Sequence, residues 1–444
     1  METKPYPQYK ESGIQWIGKI PEEWSSHKIK DYLEFDIGGT PPTSHEEYFE
    51  GDNVWISIED LTTNKTIDIK NSKKKISDEA IKKSNVKLIK KGSLLFSFKL
   101  TVGETAFAGC DLYTNEAIAA FKQNKNISLN YLKYLLKVGF ENNAFENIYG
   151  AKIFNSELIK FAKIIKPSFI EQEQIAKYLD NKTTKIQKTI TKNKQLITLL
   201  KEKRTTLINQ TITKGLNPDV QMKESGIEWI EKIPKTWKIN KIKNIFEFTK
   251  GLNITKKDLT EKGIPVISYG QIHAKFNDGV HIKDSLIRYT NKTNAKTNAK
   301  VSKGDFIFAD TSEDIEGCGN SIYINKDMLL YGGYHDVILK SHTKSDNTFL
   351  AYLFQSEKWR QQIRAKVSGV KVYSINQSIL KECFVLIPPI EEQKEISDYL
   401  DEKCDKINKT IEKIERNIEL LEEYKESLIH HVVTGKIDVR GVEL

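Results

Sequence analysis

The feature that most constrains this chain is a second copy of itself. Lys10-Glu11-Ser12-Gly13-Ile14-Gln15-Trp16-Ile17 returns 213 residues later as Lys223-Glu224-Ser225-Gly226-Ile227-Glu228-Trp229-Ile230. The echo continues from Lys19-Ile20-Pro21, Trp24 and Lys28-Ile29-Lys30 into Lys232-Ile233-Pro234, Trp237 and Lys241-Ile242-Lys243. A chain that repeats at this interval builds one architecture twice. Four of its six tryptophans fall in these segments. With their large apolar area they are expected to pack each segment onto its own module rather than to stack on a ligand.

Two further matches extend the repeat. Lys91-Gly92-Ser93-Leu94-Leu95-Phe96 parallels Lys303-Gly304-Asp305-Phe306-Ile307-Phe308, a turn leading into a buried strand. Gly150-Ala151-Lys152 parallels Gly369-Val370-Lys371. Both modules read as mixed, with short β runs bounded by Gly, Asn and Asp and some helix, such as 131–137. Between the anchors the copies diverge. Asn64 to Asn71 and Asp310-Thr311-Ser312-Glu313-Asp314 find no counterpart in sequence.

Each module is followed by a long stretch nearly free of Gly and Pro, Pro167 to Lys214 and Pro388 to Lys436. Gln172, Ile175 and Tyr178-Leu179-Asp180 open the first; Gln393, Ile396 and Tyr399-Leu400-Asp401 open the second. In the second, Leu400, Cys404, Ile407, Ile411, Ile414, Ile418, Leu421, Leu428 and Val432 recur in steps of three and four, with Lys425 as the charged break. That spacing predicts a coiled-coil seam. The first repeats it with Leu179, Ile186, Ile190, Ile197, Leu200 and Leu207, interrupted by Thr183, Asn193, Arg204 and Thr211. Residues 168–214 hold ten Lys and Arg against four Asp and Glu; residues 389–435 hold seven against thirteen. A net +6 helix and a net −6 helix, each with an apolar stripe, are expected to pair with each other. Because the first enters the second module and the second leaves it, pairing within the chain must be antiparallel, with the modules at opposite ends. About 47 residues at about 1.5 Å each make roughly 70 Å, or at most about 20 base pairs.

The four boundaries expected are residues 1–166 and 217–387 for the modules, and 167–216 and 388–444 for the helices. The fold class is α+β: two mixed modules separated by two long antiparallel helices forming an intramolecular coiled coil. At 444 residues more than one core is expected. Since the helical charges cancel, the whole formal excess of +9 falls on the modules and short tail. An acidic ligand would bind there. Cys110, Cys318, Cys383 and Cys404 lack the close spacing of a zinc or redox pair, which suits a reducing compartment. No leader-like or membrane-length apolar run occurs, so a cytoplasmic location is expected.

Catalytic motifs are missing. Gly38-Gly39-Thr40-Pro41-Pro42 lacks the Asn or Asp before the prolines and the aromatic after them that an amino-methylating enzyme needs, and reads as a turn. Gly435-Lys436 lacks the glycine five residues upstream of a phosphate loop. No Glu-x-Lys strand follows Pro218-Asp219. No histidine pair has metal-ligand spacing, and His430 and His431 point to different helix faces. Neither a catalytic residue nor a metal site is expected.

The order module, helix, module, helix resembles the specificity subunit of Type I restriction-modification systems over essentially the whole chain. The repeated Glu-Ser-Gly-Ile-x-Trp-Ile-x-Lys-Ile-Pro-x-x-Trp opening (Glu11 to Trp24, Glu224 to Trp237) and the helix openings at Gln172 and Gln393 carry the resemblance. It implies two target recognition domains, each reading half of a bipartite, asymmetric site in double-stranded DNA. It also implies helices that set the spacing and dock two modification subunits, with restriction subunits joining for cleavage. S-adenosylmethionine and ATP would then sit on the partners, and no cofactor on this chain. A coiled-coil scaffold without DNA specificity is the competing reading.

Base-edge readout needs hydrogen-bonding side chains on groove-facing loops. In the first module these are expected to be Thr40, Thr43 and Ser44, Lys99 and Thr101, and Lys152 with Asn155. The second offers Tyr269, Gln271 and His273, Thr311 and Ser312, and Lys371 with Tyr373 and Ser374. A solvated or capping role competes at each position. Lys73-Lys74-Lys75 suits a solvated or phosphate-facing run. Gln172 and Gln393 suit either a helix cap or a partner contact.

Overall fold

The computed structural model describes all residues except 1–3, 64–67, 100, 142–144, 147–151, 154, 292–296, 343–346, 370, 443 and 444. It divides into two compact units, Met1–Asn193 with Arg416–Leu444, and Lys194–Glu415. Each unit therefore holds one module and a stretch of both long helices, Phe169–Lys214 and Ile390–Val433.

The repeated opening folds as a hairpin, Tyr9–Glu11 with Lys19–Pro21 in the first unit and Met222–Ile227 with Ile230–Pro234 in the second. Its Ser-Gly-Ile step is a side-chain-capped turn. Ser12 Oγ accepts from the Ile14 amide at 3.0 Å and Ser225 Oγ from the Ile227 amide at 2.9 Å. Beyond each hairpin a strand pairs with one from the far end of the module, Ser25–Lys28 with Lys163–Lys166, and Lys238–Lys241 with Phe384–Ile387.

The central sheets share one strand order. In the first unit it is Phe35–Ile37, Ile118–Phe121, Leu94–Ser97, Thr105–Ala108, closed by Asp68–Ile69. The second unit repeats it as Phe246–Lys250, Asp336–Ser341, Phe306–Ala309, Ser321–Tyr323. The turn before the third strand in these orders needs a left-handed residue, supplied by Gly92 (φ 86°) and Gly304 (φ 99°). Phe306–Ala309 is apolar on both faces because it separates two cores. Phe306 and Phe308 join one cluster, Ile307 and Ala309 the other. A smaller sheet places Asn53–Ile56 parallel to Tyr113–Thr114, and Ile264–Ile267 parallel to Leu330–Gly332. In the second unit that sheet grows to five strands.

Of the repeated tryptophans Trp16 and Trp229 are half-buried, and the other two are buried in their own units, Trp24 at 1% exposure and Trp237 at 0%. Each packs at a helix C-terminus. A Cβ on Gly435 would lie 2.3 Å from Pro21 and 3.1 Å from Trp24; on Gly215 it would meet Trp237 at 3.5 Å. Both glycines have positive φ, as the residue that ends a helix requires.

Every seam residue foreseen from the spacing is buried or half-buried, from Leu179 and Ile190 at 0% to the half-buried Ile197, Leu200, Leu207, Ile407, Ile414 and Leu421. Several polar interruptions meet across it. Asn193 Nδ2 donates to Asn417 Oδ1 at 3.2 Å, and Lys425 Nζ to Gln187 Oε1 at 3.3 Å, in the first unit. In the second, Arg204 donates to Asn408 Oδ1 at 3.0 Å. Residue numbers rise on one helix as they fall on the other, so the pairing is antiparallel. Ion pairs also run along the second helix itself, Lys406 with Glu402 at 2.5 Å and Lys409 with Asp405 at 2.8 Å.

The helix openings are tied to the modules by the same chemistry twice. Tyr134 donates to Asp180 and Tyr352 to Asp401, each at 2.6 Å. Gln172 is fully buried, accepting from the Ser128 amide at 2.8 Å and donating to the carbonyl of Pro167 at 3.0 Å; Gln393 donates to that of Pro388 at 2.8 Å. Both glutamines thus secure helix starts. In the second unit His281 Nε2 also lies 3.4 Å from Asp401. That hydrogen bond raises the His281 pKa against the opposing effect of burial, with Asp278 and Asp405 adding charge. A raised folded value means the pair's stabilisation is complete below the ordinary histidine range near about 6.5 and fades as pH climbs through the raised value. The thermal midpoint difference between wild type and His281→Gln should therefore be widest at acidic pH and narrow at alkaline pH. A difference that widens with pH would refute the pairing.

Candidate nucleic-acid interface

The two modules expose loops at matching points of the shared frame. The strands Asn53–Ile56 and Ile264–Ile267 each end in a capped turn. The Ser57 amide donates to Asp60 Oδ2 at 2.8 Å, and the Ser268 amide to Gln271 Oε1 at 3.2 Å. The buried strands Leu94–Ser97 and Phe306–Ala309 deliver Lys99 and Thr311 at their ends. The return strands beginning at Ile118 and Asp336 are entered through Glu116 and through Tyr334-His335. Thus the segment around Thr311, without a counterpart in sequence, has one in position.

In the first module Thr40, Thr43 and Ser44 are exposed beyond Phe35–Ile37. The Thr40 hydroxyl donates to the Glu116 carboxylate. This bond, with a smaller contribution from Lys99, holds the Glu116 carboxyl below its usual range. The Lys99 ammonium sits 5.6 Å from the Phe98 ring centre. Thr101 is exposed, and its carbonyl accepts from Ser97 Oγ. Lys152 belongs to the short strand Lys152–Ile153, paired with Phe145–Glu146. Its side chain lies outside the described residues, as do Gly150 and Ala151. Asn155 caps the helix Ser156–Phe161, accepting from the Leu158 amide at 2.8 Å.

In the second module several expected residues converge on one cleft. About 720 Å³ in volume, it is lined by Tyr269, His273, Thr311, Ser312, Glu313, Asn320 and His335, among others. Thr311 and Ser312 form a strand antiparallel to Tyr373–Ser374, which brings that pair beside the cleft. His273 Nε2 lies 2.9 Å from the Thr311 carbonyl and Nδ1 3.0 Å from the Asn320 amide nitrogen. The carbonyl can only accept, so Nε2 carries the proton and Nδ1 accepts. Tyr269 meets His273, Tyr334 and His335 edge-on, at centroid distances of 6.2, 5.5 and 5.6 Å. Gln271 serves as the cap described above, and Lys371 is exposed. Val370 lies outside the described residues.

Sequence reasoning missed Asp310, Asn320 and His335. His335 has φ 56°, the one positive value at a non-glycine among the described residues, and its Nδ1 lies 3.0 Å from Asp310 Oδ1. Strained backbone of this kind gathers at functional loops. The adjacent Tyr334-His335 aromatics beside a Gly-Gly pair were the available signal.

Among the described residues no helix is long and apolar enough to cross a membrane. The family model for the Type I restriction modification DNA specificity domain matches residues 21–198 and again 234–421. The MjaVIII specificity subunit of Methanocaldococcus jannaschii, a Type I restriction enzyme component, is 26% identical over 98% of this chain and 98% of its own length. The MjaIX specificity subunit of the same organism is 27% identical over 55% of this chain, a match spanning 56% of that relative. Among solved structures, a chain from work on complex assembly and conformational transition of the type I R-M system superposes with a TM-score of 0.71 at 12% identity, covering 93% of this chain and 98% of that one. The HsdS subunit from Thermoanaerobacter tengcongensis gives 0.53 at 13% identity, covering 96% and 99%. At such identities the superpositions speak for the fold.

Proposed function

The chain belongs to the Type I restriction-modification DNA specificity family, and from that premise we propose that each module reads one half of a bipartite, asymmetric site in double-stranded DNA. One observation carries this reading: a single frame is built twice, and the loops at its matching points bear different chemistry, Asp60, Lys99 and Glu116 against Gln271, Thr311 and His335. A plain scaffold has no use for two unlike loop sets on one frame. The positive excess on the modules supplies the phosphate contacts that position a reader, and the loops supply the contacts that specify sequence.

The long helices act as the ruler between half-sites and as the docking surface for two copies of a modification subunit. Their openings support this second role. At equivalent positions Phe169 and Ile390 leave apolar side chains 44% and 47% exposed. Adenine methylation with S-adenosylmethionine, and ATP-driven restriction through further subunits, belong to those partners, and this chain has no catalysis of its own. The complex works in the cytoplasm, where the free cysteines stay reduced.

The test is to express the chain with its cognate modification subunit and map methylated adenines across the host genome. Two unlike half-sites separated by a fixed unspecified gap are expected. Methylation without such a motif, or none at all with a functional partner subunit, sinks the proposal.

A further inference from the structure

The cleft of the second module is lined by acidic, aromatic and imidazole groups, with Arg364 donating to the Glu316 carbonyl at 2.7 Å and exposed Lys371 next to Val372 at its edge. In a chain with a formal excess of +9, neither lysine nor arginine is among the residues that line it. Instead it presents Glu313, Asp314 and Glu316, the aromatic edges of Tyr269 and His335, and two hydrogen-bonded imidazoles. The lining itself offers a phosphate no lysine or arginine. What suits the exposed carboxylate of Glu313, which can only accept, is a neutral donor, and in the major groove the donors are the exocyclic amines of adenine and cytosine, whereas guanine and thymine present keto oxygens at the corresponding places.

Its construction also suits reading. Four segments distant in sequence form it: the capped turn at 269–273, the loop 311–320 beyond the buried strand, His335 at the entry to the return strand, and Val372 beside the short strand Tyr373–Ser374. His335 is held on two sides, by Asp310 and by the Tyr269 ring, in a left-handed backbone conformation that is uncommon outside glycine, though histidine adopts it more readily than most residues. Glu313 is exposed on the cleft wall.

Resting on the reading of the chain as a DNA specificity subunit, we infer that this cleft is where the second module selects a base bearing an exocyclic amine over one bearing a keto oxygen. Glu313 and His335 are its specificity-determining residues. The carboxylate accepts from the amine and repels the keto oxygen, and His335 fixes the wall against which the base edge is set.

The experiment compares methylated motifs for the whole complex carrying wild-type chain, Glu313→Gln or His335→Asn. Asparagine tolerates the left-handed backbone, and His335→Gly serves as the second variant should His335→Asn fold poorly. At one position of the second module's half-site the wild type should require A or C. With Glu313→Gln, whose amide can donate to a keto oxygen, methylation of sites carrying G or T there should rise about tenfold or more. With His335→Asn the same position should relax. The half-site of the first module should not change. An unaltered motif in both variants overturns the inference, as does equal weakening of both half-sites. A wild-type complex without a bipartite motif overturns the specificity reading itself, and this inference with it.

Discussion

Replacing Trp237 with alanine is expected to destabilise the second unit by about 3–5 kcal/mol, the cost of emptying a tryptophan-sized space in a packed core. The ring is fully buried, meets Phe349 edge-on at 5.7 Å, and abuts the glycine that ends the first long helix. Three elements therefore lose a common packing partner. Against a typical domain stability of about 5–15 kcal/mol, this is a large fraction. Trp237→Phe should cost clearly less, since the indole Nε1 is buried with no hydrogen-bond partner among the described residues and so only shape is lost. Denaturant midpoints of the two variants decide the matter. A shift under about 1 kcal/mol for the alanine variant would mean that the repeated tryptophan is not a keystone of its unit.

The second large effect concerns spacing. Seven residues added to the first helix between Asn193 and Leu200, matched by seven in the second between Asn408 and Asn417, should lengthen the unspecified gap by about three base pairs. One heptad rises about 10.5 Å and a base pair occupies about 3.4 Å. Both half-sites should stay as they were. The insertions must be paired, because the helices meet residue by residue in each unit, Gln187 with Lys425 in the first and Arg204 with Asn408 in the second. An insertion in the first helix alone would set the seam beyond it against the wrong partners, and loss of stability is the expected result. Mapping of methylated adenines reads the gap directly. A gap that does not change with the matched pair refutes the ruler.

Much of this architecture was legible in sequence because its determinants are local or periodic. A seam needs only three-and-four spacing, and Leu400, Ile411 and Val432 announced it. The turns at Gly92 and Gly304 needed only the glycine and the apolar run behind it. The candidate loops were legible in part. Tyr269, His273, Thr311 and Ser312 were named and do meet at one cleft. Gln271 and Asn155 have the same polar character but serve as caps, a distinction that depends on which amide each side chain finds. His335 escaped because its proximity to Asp310 and Tyr269 comes from strand register across a wide stretch of chain, which no short motif encodes. The glutamines at the helix openings were open between two roles until their burial was known.

The division of the helices between units bears on how the chain folds as it is made. Residues 194–415 form one uninterrupted unit, whereas the first unit needs residues 416–444 to join residues 1–193. Domains usually fold in the order of synthesis, at about 5–20 residues per second. Here the order is inverted. At about that rate residues 416–444 follow residue 193 by more than ten seconds, and for that interval the faces they cover, the Gly435 side of Trp24 and the stripe at Ile186 and Ile190, stay open, while residues 194–415 are complete slightly sooner. Nascent chains released early would thus carry a finished second unit and an unfinished first, and an unfinished apolar face of that kind is what chaperones and proteases recognise.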